Sequence, residues 1–190
     1  MAEFVLTPAV KRMALRSLAE LRGETVFIVS KETNKPIRMA ATGHITANGG
    51  LGANARFRVR RGDRRHRLGP VVRLQNVATG KYLAIKQGQL CPGAGGEHCE
   101  FIVEMAQAAV FLKKHNNPRV RAGFDRHGQP VPANLIGDGD RGRFFIFDCD
   151  QVVRPAPRVG GRVAQAAMAS ARRQANKQGR GGPGRRGPRR

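Results

Sequence analysis

Three stretches of this 190-residue sequence share one order of short apolar runs, turns and glycines, and that repetition limits the fold more than any single motif. The middle stretch, Val71 to Leu90, alternates Val72 and Leu74 with Arg73 and Gln75, the period-two mark of a half-buried strand. Ala78-Thr79-Gly80-Lys81 supplies a turn before Tyr82-Leu83-Ala84-Ile85, so the segment predicts a hairpin, with Tyr82 in the core. Upstream, Val26-Phe27-Ile28-Val29, a turn over Glu32 to Pro36, Ile37-Arg38-Met39 and Gly43-His44-Ile45 occupy the corresponding places. Downstream, Val110-Phe111-Leu112, a turn over His115 to Arg119, Val120-Arg121-Ala122 and Gly128-Gln129-Pro130 do the same. The glycines after the second run stand at Gly43, Gly88 and Gly128, and each unit closes on a phenylalanine, Phe57, Phe101 and Phe145, at intervals of 44.

Four short strands in each of three units predict an all-β fold with internal threefold symmetry. Three blades fall below the ~4 that a propeller needs. A barrel closed by hairpins, the β-trefoil, removes the strand edges that three separate hairpins would expose. The trefoil is predicted over residues 24–153. Before it, within residues 1–23, Pro8 to Arg22 places Val10, Met13, Ala14, Leu18 and Leu21 on one helical face with Leu15 at its edge, which predicts an amphipathic helix packed across the barrel, with a membrane surface or a partner groove as the alternative, ended by Gly23.

The 37 residues from Arg154 hold 11 of the 35 Lys and Arg and none of the 13 Asp and Glu, so the net charge of +22 divides equally between body and tail. Rich in Gly, Pro, Ala and Arg and free of aromatics, residues 154–190 read as a disordered tail. Such charge predicts a polyanionic partner, heparan sulfate or nucleic acid, and says nothing about fold. Within the body the cations gather in three places. Arg56, Arg58 and Arg60 alternate with Phe57 and Val59, giving a basic stripe that runs into a predicted loop carrying Arg64 and Arg65. Lys113 and Lys114 form the second group, and Arg126, Arg141 and Arg143 the third. In the tail, Arg172, Arg173, Arg180, Arg185, Arg186, Arg189 and Arg190 present guanidinium forks suited to phosphate or sulfate.

Chemistry of other kinds finds little support. Gly50-Leu51-Gly52-Ala53-Asn54-Ala55 has the spacing of a dinucleotide glycine loop, but the strand-like ARFRVRR follows where a helix must start, and a hairpin turn with positive φ accounts for the glycines better. Cys91, His98 and Cys99 lack zinc spacing, and Gly137-Asp138-Gly139-Asp140 lacks the glutamate that closes a calcium loop, so no metal or cofactor is expected. Arg61-Gly62-Asp63 matches an integrin-binding tripeptide by chance-level similarity, and its arginine-rich surroundings favour polyanion binding. Five scattered histidines with no arranged nucleophile predict a protein without enzymatic activity. Three cysteines read as reduced thiols, and MAEFVLTPAVKRM lacks the apolar core of a signal peptide. No run approaches the ~20 apolar residues of a membrane span. The expectation is a soluble monomer of the cytoplasm or nucleus, with leaderless export as the alternative.

Val71 to Leu90 followed by Cys99-Glu100-Phe101 resembles the middle repeat of the fibroblast growth factors, which run V-V-x-I-x-G-V-x-x-x-x-Y-L-A-M, then G-x-L and E-C-x-F. Gly128, Gly137, Gly139 and the pair Phe144-Phe145 are similar to that family's last hairpin and closing strand. The resemblance spans Val26 to Phe147, and fascin-type trefoils share the V-x-L-x-x-x-x-G-K-Y-L pattern of its middle part. It implies a β-trefoil signalling ligand that binds a receptor tyrosine kinase ectodomain with heparan sulfate. Two segments depart from the family. Its glycan loop corresponds to the uncharged Gln129 to Ile136, and its receptor segment to Ala106-Gln107-Ala108-Ala109. The alternative is an intracellular trefoil scaffold whose tail holds RNA or DNA.

Overall fold

The computed structural model describes residues 6–21 and 24–153. Six strands close a ring: β1 (Thr25–Ser30), β4 (Arg56–His66), β5 (Gly69–Asn76), β8 (Glu100–Ala106), β9 (Ala109–Lys114) and β11 (Arg143–Asp148). β1 pairs with β4, β4 with β5, β5 with β8, β8 with β9, β9 with β11, and β11 with β1, every pair antiparallel. Closure leaves none of the six with a free edge. Among the described residues no helix is long and apolar enough to cross a membrane.

Each ring strand contributes two residues to one interior core. They are Val26 and Ile28, Phe57 and Val59, Val72 and Leu74, Phe101 and Val103, Val110 and Leu112, and Phe144 and Ile146. Alternation along a strand produces this set, because every second side chain points inward. The inward phenylalanine of β11 that matches Phe57 and Phe101 in position is therefore Phe144, and Phe145 lies on the outer face. Phe57, Phe101 and Phe144 each stand second in their strand, just after 3-10 turns at Ala53–Ala55, Glu97–Cys99 and Asp140–Gly142. All three are fully buried.

Between the ring strands lie β2 (Arg38–Met39) paired with β3 (Ile45–Thr46), β6 (Tyr82–Lys86) paired with β7 (Gln89–Gly93), β10 (Asn117–Arg121) on β9, and a bridge from Phe124 to Pro130. The predicted hairpin of the middle unit moves accordingly. β5 meets β6 only at Gln75 and Tyr82, while β6 and β7 pair along five residues about Gln87-Gly88. Gln87 and Gly88 have φ of 49° and 75°, the mirror-image turn that suits strand twist. Leu83, Ala84 and Ile85 are fully buried, whereas Tyr82, expected in the core, is half-buried.

The hairpin tips touch one another in a cycle. Ala47 N–H donates to Gly128 O at 2.8 Å, and Ala133 N–H donates to Gly88 O at 2.7 Å. The third contact is Gly43 against Pro92, where an added Cβ would meet Pro92 Cγ at 3.2 Å. Gly128 is the tightest of these tips, since at φ +76° its Cβ would lie 2.8 Å from the Ala47 carbonyl.

Outside the ring, Phe27, Val29, Phe145, Phe147 and Cys149 form a second apolar cluster on the outer face of β1 and β11. Leu6, Val10, Ala14 and Val152 pack over it. The N-terminal segment thus crosses the barrel, but not as one helix. A five-residue helix α1 (Pro8–Arg12), capped by Thr7 Oγ1 at 3.2 Å from Val10 N, gives way at Met13. Leu15 N–H then donates to Ile146 O at 2.8 Å, and Ser17, extended at φ −155°, caps a 3-10 turn at Leu18–Glu20. Leu15 and Leu18 are buried in the main core while Met13, placed on the predicted apolar face, is exposed. A hydrogen bond to β11 and two leucines in the barrel outweigh the modest helix propensity of these residues.

The glycine loop is also unlike its prediction. Neither Gly50 nor Gly52 has positive φ; Gly52 is extended backbone that opens the turn into β4.

Candidate polyanion-binding surface

Inward placement of Phe57 and Val59 turns Arg56, Arg58 and Arg60 outward on β4, as alternation predicts. Their partners then differ. Arg56 lies over the Phe27 ring at 5.9 Å, and Arg58 stands 3.6 Å from Glu24. Arg60 is exposed and makes no ion pair among the described residues. The predicted loop after Arg60 is a continuation of β4, which pairs through Arg65 with Pro70 and His66 with Gly69. Register slips between Arg61 and Arg65, so Gly62, Asp63 and Arg64 form a bulge, a device that re-aims side chains.

Cross-strand register assembles the site. Arg60 on β4 lies opposite Arg73 on β5, and Arg73 lies opposite Glu100 on β8. Two arginines face to face repel, and the carboxylate next in the row offsets that repulsion. Arg73 Nη2 donates to Glu100 Oε1 at 2.7 Å. The other oxygen, Glu100 Oε2, is 3.2 Å from His115 Nδ1 and 3.6 Å from Arg64 Nη1, with hydrogen-bond geometry to neither. His66, at the end of β4, meets the His115 ring edge-on at 6.1 Å. Burial alone would push the Glu100 carboxyl up, but the Arg73 hydrogen bond and the charges of Arg73, Arg64 and His115 together hold it below the usual carboxylate range. The same hydrogen bond raises Arg73 further above its ordinary value.

A cleft of about 360 Å³ opens over this row, lined by Arg60, Arg61, Arg64, Arg73 and Glu100 and by the β5 segment at Val71 and Val72. Arg61 is held in place, since its Nη2 donates to Leu18 O at 2.7 Å; the Arg-Gly-Asp tripeptide thus lies within β4, its arginine engaged and its other two residues in the bulge. Arg64 and Arg73 face Glu100, and Arg60 and Arg61 also line the cleft, so among the described side chains there the surplus is positive.

The other predicted cations are arranged differently. Lys113, Arg121 and Arg143 stand over the Phe111 ring at 5.7, 4.7 and 5.8 Å. Lys113 is paired with Glu104, Arg121 with Asp138 at 2.7 Å, and Arg143 with Asp140 at 3.9 Å; Asp140 also holds Lys31 at 2.9 Å. Arg121 keeps Asp138 below the usual carboxylate range. Lys114 is half-buried, opposite Phe101 in β8. Arg126 and Arg141 are exposed, Arg126 with its Nε 3.1 Å from His127 Nε2. The side chain of Arg65 and the tail residues Arg172, Arg173, Arg180, Arg185, Arg186, Arg189 and Arg190 lie outside the described residues.

Arg73 and Glu100 are the participants that sequence reasoning passed over. Alternation places Arg73 on the outer face of β5, but only pairing with β4 and β8 brings it between Arg60 and Glu100, which is 27 residues away. Of the cysteines, Cys99 and Cys149 are buried, and burial pushes the Cys149 thiol up to about 11, which makes it a poor nucleophile. Among the described residues no group of His, Cys, Asp and Glu is placed to hold a metal ion. No protein-family model and no curated protein sequence matches the chain.

Proposed function

We propose that the body is a β-trefoil and that the protein is a non-enzymatic, fibroblast-growth-factor-like ligand that binds heparan sulfate through the β4–β5–β8 arginine surface and its basic tail. The fold reading is supported by the closed six-strand ring, the three 3-10 turns before β4, β8 and β11, and the cyclic contacts of the hairpin tips. The functional reading rests on one observation: Arg60, Arg61, Arg64 and Arg73 line a cleft in which Glu100 is the one carboxylate among the described side chains. Such a surplus calls for anions from outside, and a sulfated glycan supplies them in a row. Receptor binding enters through the resemblance of Val71 to Leu90 and Cys99-Glu100-Phe101 to the growth-factor repeat.

A second reading, an intracellular scaffold that holds RNA or DNA, is favoured by the three unpaired cysteines, which suit a reducing compartment. Titration of the full-length protein with heparin and with single-stranded and duplex RNA at two salt concentrations separates the two, with a receptor tyrosine kinase ectodomain assayed in parallel. The ligand reading expects heparin to be preferred, to weaken steeply with salt, and to strengthen receptor binding. RNA that displaces heparin, with no receptor binding, overturns it in favour of the scaffold. Changing the tail arginines Arg172, Arg173, Arg180, Arg185, Arg186, Arg189 and Arg190 to Gln should weaken heparin binding and flatten its salt dependence. An unchanged isotherm removes the tail from the site.

A further inference from the structure

Glu100 is an unusual choice for the floor of an anion-binding cleft. A carboxylate repels the ligand that the arginines attract, and an apolar residue would have filled the same space. Two observations give it a role. First, its Oε1 fixes Arg73 by a 2.7 Å hydrogen bond, so that one edge of that guanidinium is committed and the rest remains for a ligand. Secondly, its Oε2 is buried and makes no hydrogen bond, although the side chain is only 8% exposed. A buried carboxylate oxygen with an unused lone pair is costly unless a donor reaches it.

The cover over that oxygen is loose. Arg64 stands 3.6 Å from Oε2 and its side chain is 60% exposed, so it turns outward at small cost. When Arg64 moves to an incoming anion, Oε2 loses that neighbour and keeps only His115 Nδ1 at 3.2 Å, with which it makes no hydrogen bond. The cleft has room for more than an anion: its volume of about 360 Å³ falls in the range of ligand pockets, ~300–1,000 Å³. Val71, on the same face of β5 as Arg73, is part of its lining.

We infer that the cleft is a pocket for one ring-bearing ester of sulfate or phosphate, in which Arg60, Arg64 and Arg73 take the anionic group and Glu100 Oε2 accepts a hydrogen bond from a hydroxyl on the same ring. This deepens the polyanion reading and rests on it, because it says which unit of the chain is read. A bare surface of arginines counts charges along a polymer. A cleft with a carboxylate acceptor distinguishes a hydroxylated ring ester from an anion of equal charge.

The test uses the full-length protein and four small probes: inorganic sulfate, inorganic phosphate, a monosulfated disaccharide and adenosine 5′-monophosphate. Binding is followed by amide chemical shifts of β4, β5 and β8, with heparin titrated separately. At least one ring ester should bind with one-to-one stoichiometry, shift the amides around Arg60, Arg73 and Glu100, and exceed its inorganic anion in affinity by about tenfold. The disaccharide and the nucleotide distinguish a sulfate source from a phosphate source. Arg64→Gln should weaken the preferred ester about tenfold. Glu100→Gln should lower the ratio of ester to inorganic anion about fivefold while leaving the inorganic anion bound as well or better, because a charge is removed and an acceptor is replaced. Should the Gln variant misfold, Arg64→Gln and Arg60→Gln still decide the case. Heparin binding with no preference for any ring ester overturns the pocket and leaves the polyanion reading standing. Loss of both heparin and ester binding overturns the two together.

Discussion

Two groups of cations on this molecule look alike in composition and differ in what surrounds them. Over Phe111, Lys113, Arg121 and Arg143 meet three carboxylates, Glu104, Asp138 and Asp140, the last of which also holds Lys31; Asp138 and Asp140 lie on the exposed segment before β11. Over β4, β5 and β8, Arg60, Arg61, Arg64 and Arg73 line one cleft, and among the described side chains there only Glu100 is a carboxylate, held by Arg73 and Arg64. The first group is closed on itself, with its charges spent on neighbours and its stems laid over an aromatic ring. The second is open, and its one carboxylate is buried. A count of basic residues does not separate them; the placement of the acids does.

The comparison breaks most readily in stability. Arg73→Ala leaves the Glu100 carboxylate buried beside weaker partners, and should cost about 2 kcal/mol, less than the ~3–5 of a fully buried pair because Arg73 is 43% exposed. Arg121→Ala releases Asp138, 85% exposed, to water and should cost less than Arg73→Ala. Urea unfolding of both variants measures the difference. Equal losses would mean that burial of the acid does not distinguish the two groups.

In binding the expected contrast is next in size. Arg60→Gln with Arg64→Gln should weaken heparin about tenfold and reduce the salt slope by about 2, whereas Lys113→Gln with Arg143→Gln should change affinity less than about twofold, because those cations are already neutralised. A larger effect from the Phe111 pair would reverse the assignment of the surface.

Acid provides the smallest and sharpest contrast. The folded pKa of Glu100 is depressed, so its contribution to stability is fully present above the ordinary carboxyl value of 4.5 and is lost as pH falls through the lowered folded value. Glu100→Gln should therefore flatten the acid limb of a stability profile recorded from about pH 6 downward. Asp138→Asn should flatten it less, since Asp138 is exposed and its pairing is screened by water. Equal flattening would show that the two carboxylates are equivalent.

Much of the barrel was legible in the chain. Alternation in ARFRV and VVRLQ placed Phe57, Val59, Val72 and Leu74 inside and Arg56, Arg58 and Arg60 outside, and the spacing of glycines marked the tips at Gly43, Gly88 and Gly128, all at positive φ. Where two neighbouring residues were equally apolar, as at Phe144-Phe145, pattern alone did not say which faced inward, because the outer face of β11 is covered as well. The N-terminal segment misled for a related reason. Its helical periodicity is real over Pro8–Arg12, but the leucines beyond it are drawn into the barrel and a backbone bond to β11 ends the helix.

The candidate surface was legible only in half. Local sequence sets the side of a strand on which a residue lies, because side chains alternate every two residues whatever the strand pairs with. It thus determined the outward stripe of Arg56, Arg58 and Arg60, the all-β character of the body, and the basic character of the whole. Which cations remain unneutralised is a matter of distances of a few ångströms between residues far apart in the chain, and Coulomb energy depends on those distances and on burial. Tertiary structure alone put Arg73 between Arg60 and Glu100, turned Arg64 toward the same carboxylate through a bulge, and closed Lys113, Arg121 and Arg143 over Phe111.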